Sequence, residues 1–174
     1  MTDTVVIRKE CPADYADISE LVRSAFLTAE RSDGTEHELV DRLRKSAEYI
    51  PDLALVAESG GRTVGYLMMT SIKIGGSTGA VALAPLAVSE RFRGLGIGRK
   101  LIAEAHSCAR SLGYSCSVVL GNPVYYSGSG YVSASLYGIK APFDVPEPFY
   151  MVYPLIHDAH LPAGEVSYSA AFEL

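Results

Sequence analysis

The sequence predicts a mixed α/β fold, and three observations support that prediction. Apolar and polar segments follow one another in the order β-α-α-β-β-β-α-β-(α)-β-β. An apolar strand at residues 83–88 runs into a basic, glycine-rich turn that opens directly into an amphipathic helix. A buried strand at residues 117–120 follows this helix, and the usual right-handed crossover makes the two strands parallel.

The N-terminal part of the chain predicts one strand and two helices. Residues 4–8 have a short strand pattern, and Pro12 then starts a helix whose apolar residues recur at helical spacing. A polar break at residues 31–35 separates this helix from a second one, in which apolar and charged residues lie largely on opposite faces. Two amphipathic helices therefore precede the central strands.

The central part predicts three consecutive strands, at residues 53–58, 63–74 and 80–88. Glycine-containing segments at residues 60–61 and 75–79 separate them, and we interpret both as hairpin turns.

The helix after the glycine-rich turn predicts one buried stripe, with Gly113 as the residue that ends the helix. His106 lies in the middle of this helix next to polar residues, so we expect an exposed histidine. The stripe consists of Ile97, Leu101, Ala105, Cys108 and Leu112.

The C-terminal part predicts strands that close the sheet. Residues 131–137 and 149–155 have strand patterns, and residues 164–172 alternate apolar and polar side chains. This last segment could add a strand and pair with a neighbouring subunit, which would give a homodimer.

Composition predicts a single folded domain over residues 1–174, with 48% hydrophobic and 20% charged residues. We expect a cytoplasmic protein, because the N-terminus lacks a signal-peptide pattern and no apolar run reaches the ~20 residues of a membrane span. The three cysteines lack metal-ligand spacing, so we expect free thiols and no metal. A net charge of −5 argues against nucleic acid as a partner.

The glycine-rich turn predicts an anion site. Its glycines allow backbone N–H groups to converge at the start of the helix, where the helix dipole also favours negative charge. A surface helix with solvated charges is the alternative, but it does not account for strand, turn, cations and helix occurring in register. The glycines are Gly94, Gly96 and Gly98, and the nearby cations are Arg91, Arg93, Arg99 and Lys100.

The spacing of this turn excludes two common phosphate loops. No Gly-x-x-x-x-Gly-Lys-Ser/Thr string occurs, and Gly-x-Gly-x-x-Gly fails from either starting glycine. What remains is Arg-x-x-Gly-x-Gly, formed by Arg93, Gly96 and Gly98. This pattern resembles the acetyl-CoA pyrophosphate loop of the GNAT superfamily of N-acetyltransferases.

The resemblance extends over the element order of residues 5–155 and implies the GNAT fold. That fold is a mixed, mostly antiparallel sheet with flanking helices and one splayed parallel strand pair, whose gap admits the pantetheine arm of the cofactor. Carried over to this chain, the pantetheine would meet Leu86, Ala87 and Val88. The pyrophosphate would meet Arg93, Gly94, Leu95, Gly96, Ile97, Gly98 and Arg99, with Asn122 and Tyr125 as further cofactor contacts.

A tyrosine motif implies the catalytic residue. Tyr126-x-x-x-Gly130-Tyr131 matches a family element whose first tyrosine commonly protonates the departing CoA thiolate. The alternative for Tyr126 is a packed aromatic side chain that anchors the turn. The surrounding string resembles a branch of small bacterial acetyltransferases, which usually has Arg-Phe where this chain has Gly128-Ser129.

The general base is not identified by the sequence. Many family members carry a glutamate on the strand before the glycine loop, but residues 82–85 contain no acid here. Glu36, His37 and Glu38 could reach the acceptor, or could form a solvated helix N-terminus.

Together these features predict an acetyl-CoA-dependent N-acetyltransferase. The acceptor would be a small-molecule amine, a peptide N-terminus or a lysine. The alternative is a non-catalytic acyl-CoA-binding sensor or regulatory module. The acceptor and the acyl group stay open, because variable loops rather than the glycine motif determine them.

Overall fold

Nine strands form one sheet within residues 3–157 and 160–174, the part of the chain that the computed structural model describes. The strands are β1 (Val5–Lys9), β2 (Tyr49–Ser59), β3 (Arg62–Ile74), β4 (Ser77–Val88), β5 (Cys116–Leu120), β6 (Val132–Ser133), β7 (Ile139–Lys140), β8 (Tyr150–Pro154) and β9 (Gly164–Ser167). The helices are α1 (Tyr15–Phe26), α2 (Glu36–Arg44), α3 (Ile97–Ser111) and the short α4 (Pro123–Ser127).

The sheet is mostly antiparallel and contains one parallel pair that bears on the site. The strand order is β1-β2-β3-β4-β5-β8-β6, with β9 paired to both β3 and β7. β4 and β5 run parallel and are joined through α3, as the crossover rule requires. The predicted fold class is confirmed.

Helices cover both faces of the sheet, so both faces of the central strands are apolar. Ile97 and Leu101 of α3 pack on one face against Leu67. Ile18 of α1 packs on the other face against Met68, the next residue of β3. Successive residues of β3 therefore enter different cores, which explains its long continuous run of buried side chains.

The predicted stripe of α3 was wrong in two places. Leu112 is 44% exposed and Cys108 is only partly buried. His106, expected in solvent, is 5% exposed. The buried face of α3 includes Ile102 and Ala109, so its centre is rotated toward His106 relative to the predicted stripe.

The C-terminal strands also differ from the prediction. Residues 131–137 contain only the two-residue strand β6, followed by a 3₁₀ turn at Ala134–Tyr137. The tail strand β9 pairs with β3 of the same chain, at Lys73–Ser167 and Ile74–Val166. Val166 is buried there, so this segment is used within the chain and gives no support to a homodimer, which stays a prediction.

The length and composition of the helices decide whether any of them could cross a membrane. None of the helices in residues 3–157 and 160–174 combines the length and the apolar character needed to cross a bilayer.

Candidate functional site

A cavity of about 630 Å³ lies between the C-terminal end of β4, the glycine-rich turn and α4. It brings together eleven of the thirteen residues that the sequence predicted for the site. These are Leu86, Ala87, Val88, Arg93, Gly94, Gly96, Ile97, Gly98, Arg99, Tyr125 and Tyr126. Sequence reasoning missed the remaining wall, which consists of Ala25, Phe26, Ala29 and Phe92.

The cavity opens where β4 separates from β5. The two strands form three parallel residue pairs, from Ala80–Cys116 to Ala82–Val118. Among the described residues β4 has no β5 partner beyond Ala82, although it continues along β3 as far as Val88. Backbone groups of this segment that point away from β3 are therefore free to bind a ligand's amides.

The glycine-rich turn presents the N-terminal end of α3 to the cavity. Gly94 and Gly96 have φ values of +78° and +79°, a left-handed conformation that other residues adopt only with strain. Gly96 is the N-cap and supplies no capping side chain, and the first helical turn contains no acid. The N–H groups of this turn thus lack side-chain partners, which suits an anionic ligand.

Gly98 is a glycine for a different reason. Its backbone is helical, but a Cβ placed there would lie 2.1 Å from the Tyr125 hydroxyl oxygen. The missing side chain therefore lets the Tyr125 hydroxyl lie directly over the first turn of α3. Burial raises the pKa of Tyr125, and the nearby Arg99 charge opposes that shift.

Two arginines border the cavity. Arg93 donates from Nε to the Val88 carbonyl and from Nη2 to the Ala25 carbonyl, at 3.3 Å each. Its guanidinium therefore joins the end of β4 to α1. Arg99 extends from α3 toward the end of α4. Neither guanidinium takes part in any of the ion pairs formed by the described residues, so both retain charge for a ligand.

Two predicted cofactor contacts lie outside this cavity. Leu95 is 60% exposed at the tip of the turn. Asn122 caps α4, where its Oδ1 accepts a hydrogen bond from the Val124 N–H at 2.9 Å. Asn122 thus acts on the start of α4, the helix that carries both tyrosines of the cavity.

Tyr126 faces the cavity from a position fixed by its neighbours. A Cβ on Gly121 would lie 2.3 Å from Cε2 of Tyr126, so this glycine leaves room for the ring. The ring also meets Tyr131 edge-on, with centroids 5.7 Å apart. Burial raises the pKa of Tyr126 well above its usual value, so its hydroxyl keeps its proton at neutral and moderately alkaline pH.

A buried polar cluster behind Tyr126 was not predicted. The Tyr131 hydroxyl lies 2.8 Å from Ser117 Oγ and 3.0 Å from His106 Nε2. His106 also stacks on Tyr153 at 4.0 Å between ring centroids. The signal was present in the sequence, because His106 is four residues after Ile102, on the apolar side of α3.

Burial decides the charge state of this histidine. With a smaller contribution from the Arg110 charge, it lowers the pKa of His106 to about 4. The imidazole is therefore neutral at physiological pH, consistent with its contacts with the uncharged Tyr131 and Tyr153 side chains.

The candidate bases from the sequence do not line this cavity. Glu36 instead borders a separate cavity of about 290 Å³, together with Arg31 and Phe172. His37 and Glu38 line neither cavity, and no carboxylate or imidazole is among the residues that form the 630 Å³ cavity. Within residues 3–157 and 160–174, no group of three or more His, Cys, Asp or Glu side chains is arranged to hold a metal ion.

Comparison with known proteins identifies relatives over nearly the whole chain. A sequence profile of the acetyltransferase (GNAT) family matches residues 16–124. The uncharacterized N-acetyltransferase YhbS of Escherichia coli (strain K12) is 33% identical over 157 residues, which cover 89% of this chain and 90% of YhbS. The uncharacterized N-acetyltransferase YjhQ of the same strain is 32% identical over 78% of this chain and 74% of its own length.

Two solved structures share the fold at similar identity. The crystal structure of Escherichia coli YhbS in complex with CoA has a TM-score of 0.90 at 30% identity, covering 100% of this chain and 94% of that one. A GNAT family acetyltransferase from Brucella melitensis in complex with acetyl-CoA has a TM-score of 0.82 at 32% identity, covering 98% and 99%.

Proposed function

Because this chain belongs to the GNAT family of acetyltransferases, we propose that it transfers an acetyl group from acetyl-CoA to a primary amine, by direct attack while both substrates are bound. The observation that carries this proposal is the cavity itself. It joins an unpaired edge of β4, the N-terminal end of α3 and a protonated tyrosine in one continuous space.

The cavity suits the three parts of acetyl-CoA. The edge formed by Leu86, Ala87 and Val88 offers backbone groups to the amides of the pantetheine arm. The glycine-rich turn and the first turn of α3 offer N–H groups and two guanidinium groups to the pyrophosphate. The CoA and acetyl-CoA complexes of the two related structures support this assignment.

The thioester supplies an activated acyl group, and the protein positions it. The amine nitrogen forms a bond to the acyl carbon, and the C–S bond breaks with its electron pair on sulfur. Tyr126 holds a proton within the cavity that can pass to this sulfur. The proton that the amine loses passes to water, and Tyr126 regains its own proton from water, so the charge balances. No carboxylate or imidazole is among the residues that line the cavity.

Direct transfer is favoured over an acylated protein intermediate. Such an intermediate needs a nucleophilic side chain next to the thioester. Among the residues that line the cavity there is no cysteine, serine, lysine or histidine. Holding the two substrates in contact is then the main contribution of the protein to the rate.

A non-catalytic acyl-CoA-binding module is the second candidate function. It is favoured by the lack of any carboxylate or imidazole among the cavity residues. In that case the cavity would bind acetyl-CoA with the same residues and would lack an acceptor. The two functions differ in turnover and not in binding.

The test measures binding and turnover separately. Calorimetry gives the Kd for acetyl-CoA, and a thiol assay measures CoA release with a diamine, a lysine-containing peptide and a peptide with a free N-terminus. We expect at least one amine to accelerate CoA release and to gain one acetyl group by mass spectrometry. Binding without amine-dependent release would support the module, and no binding of acetyl-CoA would overturn both functions.

A further inference from the structure

Gly128, at the C-terminal end of α4, has no backbone reason to be glycine. Its φ of −63° and ψ of −19° are ordinary helical values that any residue adopts. A Cβ built on it would lie 2.8 Å from Nη2 of Arg99, 3.3 Å from its Cζ, and 3.2 Å from the Tyr125 carbonyl oxygen, so the shortest contact is with the guanidinium. The absent side chain therefore leaves the space that the Arg99 guanidinium occupies.

Arg99 is placed there at some electrostatic cost. It belongs to the first turn of α3, where the helix dipole disfavours a cation. None of the ion pairs or side-chain hydrogen bonds formed by the described residues involves its guanidinium. Yet Arg99 lines the cavity beside Tyr125, close to the N–H groups of the same turn. A bound phosphate would change this arrangement from unfavourable to favourable.

We propose that Gly128 is a positioning residue that seats the Arg99 guanidinium at the border of the cavity, where it binds a phosphate group of CoA. The proposal rests on the proposed function, because it requires CoA in this cavity. It adds that the glycine that caps α4, which offers no side chain to the ligand, contributes to the affinity for the cofactor.

The space that Gly128 leaves also suits the planar shape of the arginine side chain. The planar guanidinium can lie flat over the Cα of Gly128 and still direct N–H groups toward a phosphate. A lysine at position 99 keeps the charge but presents one compact ammonium group, without the planar fork. We therefore expect Arg99→Lys to bind CoA more weakly than the native chain, although the charge is the same.

Calorimetric titration of the intact chain with CoA tests the proposal. Arg99→Ala should weaken CoA binding about 10- to 100-fold, the usual range for a charge-assisted hydrogen bond. Gly128→Ala, whose added Cβ displaces the guanidinium, should lose part of the same factor. The double variant should bind no more weakly than Arg99→Ala alone, because both changes remove one interaction. The melting temperature of Gly128→Ala should change little, because the backbone is already helical and the atom that the Cβ meets most closely is the end of a flexible side chain.

A variant that moves the arginine from position 99 to position 128 gives a second measurement of CoA affinity. In Arg99→Ala/Gly128→Arg the cation returns from the α4 side, and CoA affinity should recover at least partly relative to Arg99→Ala. Native affinity in both Gly128→Ala and Arg99→Lys, or additive losses in the double variant, would overturn the proposal. Failure of the native chain to bind CoA would instead overturn the proposed function.

Discussion

Two adjacent tyrosines of α4 take different positions because each of them packs against a different glycine. The Tyr125 hydroxyl lies over Gly98, and the Tyr126 ring lies against Gly121. Their rings are nearly perpendicular, at 86° with centroids 5.0 Å apart. Tyr125 therefore faces the first turn of α3, where phosphate is expected, whereas Tyr126 lies deeper, against the aromatic core. This division favours Tyr126 as the proton donor.

Substitution of Tyr126 by phenylalanine separates catalysis from binding. The ring that packs on Gly121 is kept and only the hydroxyl is lost. We expect kcat to fall by about 10²–10⁴-fold, the usual contribution of a general acid, with an unchanged Kd for acetyl-CoA. Because the pKa of Tyr126 is raised well above its usual value, the variant should also leave any alkaline decline of the rate in place.

The control for this experiment is Tyr114→Phe, which removes the hydroxyl of a partly buried tyrosine outside the cavity. It should retain native kcat. Native turnover by Tyr126→Phe with a true acceptor would assign Tyr126 to packing. A large loss of kcat in Tyr125→Phe instead would move the proton donor by one residue.

His106 predicts a specific dependence of stability on pH. Its pKa is about 4 in the folded chain, against a reference value of ~6.5 for an unfolded one. Between these values the unfolded chain binds a proton that the folded chain does not bind. The free energy of unfolding should therefore decrease as the pH falls from about 6.5 to about 4, by up to ~1.4 kcal/mol per pH unit from this group.

Denaturant unfolding at several pH values measures this contribution. His106→Gln should reduce the slope within that pH window and leave the slope above it unchanged. His160→Gln removes an exposed histidine and should show the native slope. Identical slopes for His106→Gln and the native chain would mean that the buried imidazole does not stay neutral.

At the scale of elements, the five residues from Gly94 to Gly98 shape the anion site and also contact α4. Gly94 and Gly96 give the turn its left-handed backbone, whereas Gly98 gives the helix its contact with α4. The turn therefore shapes the anion site and also fixes where the tyrosines lie. A Cβ on Gly96 would meet no protein atom within 4 Å, so it would point into open space at the cavity.

Gly96→Val should abolish CoA binding in a chain that still folds. The valine side chain would fill the space in front of the first-turn N–H groups, and its φ of +79° would add strain. Gly113→Val is the matched control, because Gly113 ends the same helix at φ +90° with equally open surroundings. Both variants should lose similar stability in thermal unfolding, but only Gly96→Val should lose CoA in calorimetry. Unchanged CoA affinity in a folded Gly96→Val variant would remove the basis for the anion site.

The sequence was sufficient to predict the secondary-structure elements but not the side-chain contacts between them. The apolar periods and turn residues predicted the order of helices and strands, the parallel pair and the turn at Gly94–Gly98. They could not show that Gly98 faces Tyr125 or that Gly128 faces Arg99, because such contacts depend on how α3 and α4 pack. The stripe of α3 was misplaced for a related reason: His106 was counted as polar, although its ring can be buried beside hydrogen-bond partners.

At the scale of the whole molecule, a cluster of four cations at residues 91–100 lies beside the cavity of a protein with net negative charge. The net charge is −5, and four of the arginines outside residues 91–100 are paired with acids. Arg44 lies 2.8 Å from Glu10 and Arg8 lies 2.8 Å from Asp14. The cations of residues 91–100 take part in none of the ion pairs found in the described part of the chain. Such a segment on an acidic protein attracts a polyanion to one place.

Two further properties of the whole molecule stay predictions: that residues 1–174 form a single domain, and that the protein is cytoplasmic.

This charge pattern predicts which cations bind CoA and how salt affects them. Arg93 and Lys100 are both exposed, but Arg93 lines the cavity, held by the Val88 and Ala25 carbonyls, whereas Lys100 lies outside it. In calorimetry at 0.1 M salt, Arg93→Ala should weaken CoA binding about tenfold or more. Lys100→Ala should change it little, because a charge outside the cavity is screened within about 10 Å at this salt concentration. Added salt should weaken CoA binding by the native chain more than CoA binding by Arg93→Ala, since the variant has lost one of the contacts that salt screens.

Dephospho-CoA, which lacks the 3′-phosphate, shows whether Arg93 contacts that group or the pyrophosphate. If Arg93 contacts the 3′-phosphate, Arg93→Ala should lose less affinity for dephospho-CoA than for CoA. Salt-independent binding of CoA by the native chain, or equal losses in Arg93→Ala and Lys100→Ala, would mean that the position of the cations at the cavity does not determine affinity.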